Sequence, residues 1–162
     1  MSAVAGNPKI VTRSGSGFTL HIGADERAVV ASLLGELRGM QTDPDAADAV
    51  TRLFPVVHPD DPEQEAEWQR LMRDELITSR RAAIDTVIAV LERPGRKVPL
   101  DEDEMSAFIQ SINSIRLVLG TILDVGEDED EIAEELLDSP EYGLYGYLSF
   151  VLDASVRVLG GH

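Results

Sequence analysis

DEDEMSAFIQSINSIRLVLGTIL, residues 101–123, is the stretch whose reading decides the fold. Asp101 and Glu104 stand at the spacing of a capping box, in which each side chain accepts from the other's orphan backbone N–H, so a helix begins here. Met105, Phe108, Ile109, Ile112, Ile115, Leu119, Ile122 and Leu123 then recur at three- and four-residue steps, forming an apolar stripe that other elements must cover. Arg116 sits near the middle of that stripe. A guanidinium cannot shed its proton and must find an acceptor, so Arg116 marks a polar centre on a face expected to be buried.

Working outward, the residues before this helix change period twice. Lys9–Arg13 and Phe18–Ile22 are short β-prone runs joined by Ser14-Gly15-Ser16-Gly17, which predicts a small hairpin. From Asp25 onward Val29, Val30, Leu33, Leu34, Leu37 and Met40 fall on one helical face. Asp43-Pro44-Asp45 restarts the chain, and a short helix is expected through Val50 to Leu53 before Phe54-Pro55 and His58-Pro59 force an extended loop. Asp61-Pro62-Glu63-Gln64 is a strong helix start. Past that start, Trp68, Leu71, Met72 and Leu76 share one direction, whereas Ile77, Ile84, Val87, Ile88 and Leu91 point about 130° away around the helix. Either two helices meet near Arg73–Glu75, with Asp74 as the second cap, or one long helix meets different neighbours along its length. Arg93-Pro94-Gly95 ends it, and a basic loop leads to Leu100.

Beyond Leu123, residues 127–135 hold seven acids and no base, which predicts a solvated loop with a short helix around Ile132–Leu137. Pro140 starts a last helix with Leu144, Tyr145, Leu148, Val151, Leu152, Val156 and Leu159 on a broad apolar face. The expectation is a mainly α fold: a single-domain helical bundle of five to seven helices with a small N-terminal β-hairpin. Residues 1–8 are expected to be a flexible lead-in, and 9–162 one domain.

Composition narrows the function. A formal net charge of −16, from 30 acidic and 14 basic residues, repels phosphate backbones and anionic lipid. Basic residues do gather between Arg70 and Lys97, among them Arg73, Arg80, Arg81, Arg93 and Arg96, but acids flank them on both sides, so direct nucleic acid binding is not expected. With no cysteine there is no disulfide and no thiolate chemistry within the chain. No apolar run suits a signal peptide or a membrane span, so a cytoplasmic protein is expected. His21, His58 and His162 lie far apart, which gives no basis for a metal site, and no cofactor motif is present. Asp124, Asp128 and Asp130 lack the calcium-loop order, and Gly15-Ser16-Gly17 is a turn rather than a nucleophile elbow.

What remains is polar groups on apolar faces. Arg80 falls inside the stripe of Ile77, Ile84 and Leu91, as Arg116 does in its own helix, and Asn113 lies one turn before Arg116. The favoured reading is structural: each arginine pairs with an internal carboxylate and sets helix register. The functional alternative is a small-anion-binding or enzymatic scaffold centred on Arg80, Asn113 and Arg116. Gly120, on the same face, leaves room for a close helix approach, and Trp68 is expected in the core.

Phe54-Pro55, Leu71, Asp74, Leu76, Arg80, Leu100, Asn113, Arg116-Leu117, Leu119-Gly120-Thr121 and Leu123, with Tyr145 and Leu148, resemble an actinobacterial family of the AosR type. The most specific part is Asn113-x-x-Arg116-Leu117-x-Leu119-Gly120. That label stands for actinomycete oxidative stress regulator. The resemblance implies a non-enzymatic module that controls transcription through a protein partner such as a sigma factor, and a homodimer through the last helix is compatible with it. A cysteine-based redox step has no residue to run on in this chain.

Overall fold

The computed structural model describes residues 10–54, 56–123 and 140–160. The hairpin forms between β1, Val11–Ser14, and β2, Gly17–Leu20, in the register Val11 to Leu20 and Ser14 to Gly17. Gly15 supplies the turn's positive φ, +61°. A third strand, β3, Val98–Leu100, pairs antiparallel with β2, Phe18 opposite Leu100 and Leu20 opposite Val98. The expected basic loop therefore ends in a strand, and the sheet has three strands. Three residues with Pro99 in the middle are too short to show a period-two pattern in sequence. Gly17 lies where β3 crosses: a Cβ there would sit 2.5 Å from the Leu100 carbonyl oxygen.

Four α-helices follow among the described residues: α1, Ala24–Met40; α2, Pro62–Leu91; α3, Glu102–Ile122; and α4, Pro140–Leu159. The count is lower than the five to seven expected, for two physical reasons. The segment after α1 makes only two separate 3-10 turns, Pro44–Ala46 and Thr51–Leu53. The 62–91 segment is one continuous helix, because no glycine or internal proline interrupts it and Asp74 stays exposed within it rather than capping a second helix. The helix expected at Ile132–Leu137 lies outside the described residues.

The two apolar directions of α2 reflect two neighbours. Its buried residues, Ile84, Val87, Val90 and Leu91, all belong to the last third, and the helix as a whole packs on α3 and α1. Its first half meets the extended loop: Glu65 accepts from the Val57 and His58 N–H groups at 2.8 and 2.7 Å, and the Trp68 ring meets His58 edge-on at 6.3 Å. Trp68 is thus half-buried under the loop rather than in the core, and Leu71 is exposed.

The central helix is α3, which packs against α2 and α4 and also touches α1, the second 3-10 turn and the sheet. Its capping box is formed as expected, Glu104 N–H donating to Asp101 at 2.7 Å and Asp101 N–H to Glu104 at 3.0 Å. Met105, Phe108 and Ile112 are buried at its start, in one core with Phe18 and Leu20 of the sheet, Leu34 of α1, Ile84 of α2 and Leu148 of α4. Side chains tie the outer elements down. Tyr147 of α4 donates to Glu26 of α1 at 2.7 Å, and Arg13 of β1 donates to the Val158 carbonyl at the α4 C-terminus, where a cation suits the helix dipole. No helix among the described residues is long and apolar enough to cross a membrane.

Candidate functional site

Arg116 and Asn113 come together as the spacing on α3 requires: Arg116 Nη2 donates to Asn113 Oδ1 at 3.1 Å. Both side chains are half-buried, and Arg116 Nε is buried with no hydrogen-bond partner. Among the described residues its acceptor is therefore an amide and not the carboxylate expected. One turn on, a Cβ at Gly120 would lie 3.2 Å from both Arg52 Nη1 and Tyr145 Cε2. Gly120 is the point where the second 3-10 turn and α4 close on α3, as its missing side chain suggested.

Arg80 also meets no carboxylate among the described residues. Its guanidinium carbon lies 5.1 Å from the centre of the Phe54 ring, Nη1 is buried without a partner, and burial alone pushes its pKa below the usual value. Arg73, two turns earlier on α2, lies at 3.9 Å from the same ring. Two cations thus share one aromatic ring, which replaces the ion pairing expected of Arg80 with a cation–π contact. Phe54 and Arg80 are both among the residues that carried the family resemblance. That they touch could not be read from their spacing, since a proline-bearing loop and more than half of α2 separate them in the chain.

The arginine that does act as an internal fastener is not one that periodicity singled out. Arg27, in the first turn of α1, is only 7% exposed and donates to the Arg93 carbonyl at 3.0 Å and the Gly95 carbonyl at 2.8 Å. Arg93 in turn donates to the Pro99 carbonyl at 2.6 Å and pairs with Glu104. This relay fixes the 93–97 loop and so sets β3 on the sheet. Other members of the basic cluster are similarly engaged: Arg70 pairs with Glu67, and Arg81 donates to Thr42 Oγ1 at 2.9 Å.

An apolar groove lies on the surface among the described residues. Leu33, Leu37 and Met40 of α1 face Ile115, Val118, Leu119 and Ile122 of α3 across a half-open cleft of about 110 Å³, with Glu36 at its rim. Ile122 is 58% exposed although it belongs to the stripe that sequence periodicity placed inside. Val29 of α1 and Val156 and Leu159 of α4, also expected to be covered, are exposed as well. A stripe more than one helix face wide cannot be fully covered by so few neighbours.

The domain of unknown function DUF2017 matches residues 6–159 of the chain. The chain belongs to that family. Curated relatives are the proteins called Oxidative stress regulator AosR from Mycobacterium tuberculosis (strain ATCC 25618 / H37Rv) and Mycobacterium bovis (strain ATCC BAA-935 / AF2122/97). Each is 22% identical to this chain over 189 aligned positions, covering 94% of the chain and 87% of the relative. The resemblance to the AosR type read from Asn113, Arg116 and Gly120 therefore extends over nearly the whole length. No solved structure matches.

Proposed function

We propose that this protein is a non-enzymatic regulator that works by docking onto a protein partner. The observation that carries the regulatory reading is the near-full-length relationship to proteins named for oxidative stress regulation. A sensing step at a thiol of its own is closed to a chain without cysteine, so the signal reaches it through something it binds.

The groove between α1 and α3 supports docking. Its apolar walls and exposed Ile122 suit one or two aliphatic or aromatic anchors, and a chain of net charge −16 favours a partner segment that flanks those anchors with Lys and Arg. The occupant is thus a basic amphipathic helix of another protein, with a sigma factor as the specific candidate the family resemblance suggests. The net charge of −16, with acids flanking the basic cluster on both sides, favours recruitment over direct DNA contact.

The test is complementation. A strain lacking the gene, grown with and without peroxide, should show an altered transcript profile that the intact protein restores and the Ile122→Glu variant does not. An unchanged profile on deletion would remove the regulatory reading. Full restoration by a folded Ile122→Glu protein would remove the docking groove while leaving regulation intact. Sedimentation of the purified chain covers the remaining occupant, since a dimer broken by Ile122→Glu would assign the groove to a second copy.

A further inference from the structure

Of the four described α-helices, α4 carries the fewest charges: Glu141, Asp153 and Arg157 in 20 residues, with none from Tyr142 to Leu152. Asp153 and Arg157 pair with each other at 3.1 Å and so cancel. Opposite its buried residues, Tyr145, Leu148, Val151 and Ser155, the helix turns Gly143, Gly146, Phe150, Asp153 and Arg157 outward, all of them exposed. Phe150 is 47% exposed and is the one aromatic ring among the large apolar side chains left exposed in the described residues.

Gly146 and Gly143 stand one and two turns before that ring on the same stripe. A Cβ at either would meet no atom within 4 Å, unlike one at Gly120, so packing within the chain does not call for a glycine there. Gly35 and Gly39 of α1 are open in the same way, but no exposed aromatic side chain shares their helix. On α4 a projecting ring and a hollow lie one turn apart on one face, and such a face is complementary to itself. Laid antiparallel on a second copy, with the two-fold axis at the level of Leu148, each Phe150 comes over the partner's Gly146. The charge balance selects the same occupant. Two copies of net charge −16 repel wherever acids face acids, whereas this face brings together an uncharged stretch with the Asp153–Arg157 pairs at opposite ends of the contact.

We infer that α4 packs antiparallel on α4 of a second copy of this chain, forming a weak two-fold symmetric dimer anchored by Phe150. A helix of 20 residues is about 30 Å long, and a single helix pair buries less than a standard protein interface, so the Kd is of the order of 10 µM. The contact shares no residue with the α1–α3 groove, so self-association and docking of another protein are separable. The inference does not rest on the regulatory reading.

Sedimentation equilibrium of the full chain from about 1 to about 500 µM, a range that brackets such a Kd, tests this. The parent should pass from monomer to dimer, and more completely at higher salt, because screening relieves the repulsion between two acidic copies. Phe150→Glu sets a charge in place of the ring and should stay monomeric, with the Tm of the dilute parent, since this side chain lies outside the core. Gly146→Gln fills the hollow where a Cβ meets nothing in its own chain. As a better helix former it should raise Tm, yet weaken the dimer about tenfold or more by blocking the approach of the ring. Ile122→Glu, on the groove, should leave the dimer intact. A chain that stays monomeric over the whole range at low and high salt would overturn the proposal and leave this face to a different protein. So would a dimer that Phe150→Glu leaves intact, one that Gly146→Gln does not weaken, or one that Ile122→Glu dissolves.

Discussion

Replacing Arg27 by methionine isolates the contact that holds the sheet's third strand in place. Methionine keeps the aliphatic bulk of a side chain that is only 7% exposed, so packing changes little and the loss is that of two hydrogen bonds, to the Arg93 and Gly95 carbonyls. A charge-assisted hydrogen bond contributes about 1.5–3 kcal/mol. The low end applies here, because Gly95 and its neighbours to Lys97 are exposed and water can replace the lost donors. Two such bonds give about 3 kcal/mol, and the unpartnered Arg27 Nε, whose burial methionine relieves, returns about 1 kcal/mol. The net cost is about 2 kcal/mol, which for a chain of this length lowers Tm by about 4–8 °C. Both acceptors are neutral carbonyls, so the loss should be nearly independent of salt, unlike that of a surface ion pair. Thermal and urea unfolding measure the total, and hydrogen exchange at the amides of β3 should quicken more than that of α3. A Tm equal to or above that of the parent, or a loss that vanishes at high salt, would refute the reasoning.

Further expectations concern the sheet, the loop before α2 and the arginine stripe. Gly17→Ala should destabilise by about 1–3 kcal/mol in urea unfolding, because its Cβ would press to within 2.5 Å of the Leu100 backbone oxygen, which cannot move without shifting β3. Glu65 has its pKa held below the ordinary 4.5 of a glutamate, first by the Gln69 side-chain hydrogen bond and then by the His58 N–H. Its hold on the loop is therefore complete above that ordinary value and is lost as pH falls through the lower folded value, which the amide resonances of Val57 and His58 should report while the core stays folded. Arg80→Met should change stability by less than about 1 kcal/mol, since the cation–π contact it loses and the unmet buried Nη1 it removes nearly offset. A loss of about 3 kcal/mol there would restore Arg80 as an internal fastener.

The helices were legible because their signals are local. The Asp61 and Asp101 caps, the proline starts at 62 and 140 and the stripe of α3 each lie within a few residues, and the structure places helix ends where those signals stand. What failed was whatever depended on a partner distant in sequence. β3 exists because β2 offers an edge to Val98 and Leu100, and the two short turns after α1 stay 3-10 because Val50, Leu53 and Phe54 bury themselves against the main core instead of extending a helix of their own.

The arginines show the same division more sharply. Periodicity gives the direction in which a side chain leaves its helix, and on that ground Arg80 and Arg116 are expected to turn toward the interior. It does not give depth or partner. Both stop half-way in, one on an aromatic ring and one on an amide, and neither reaches a carboxylate among the described residues. Arg27 follows Asp25 and Glu26 in a charged first turn and reads as solvent-facing, yet it is buried because a loop some 66 residues later folds over it with two free carbonyls. A fastener such as Arg27 directs two of its three guanidinium nitrogens to backbone carbonyls, and its role ends with the fold. Arg80 and Arg116 each keep one buried nitrogen without an acceptor, and so does Arg27, so it is the depth of the guanidinium and the backbone carbonyls folded over it, not direction alone, which separate a fastener from a charge held at the edge of the core.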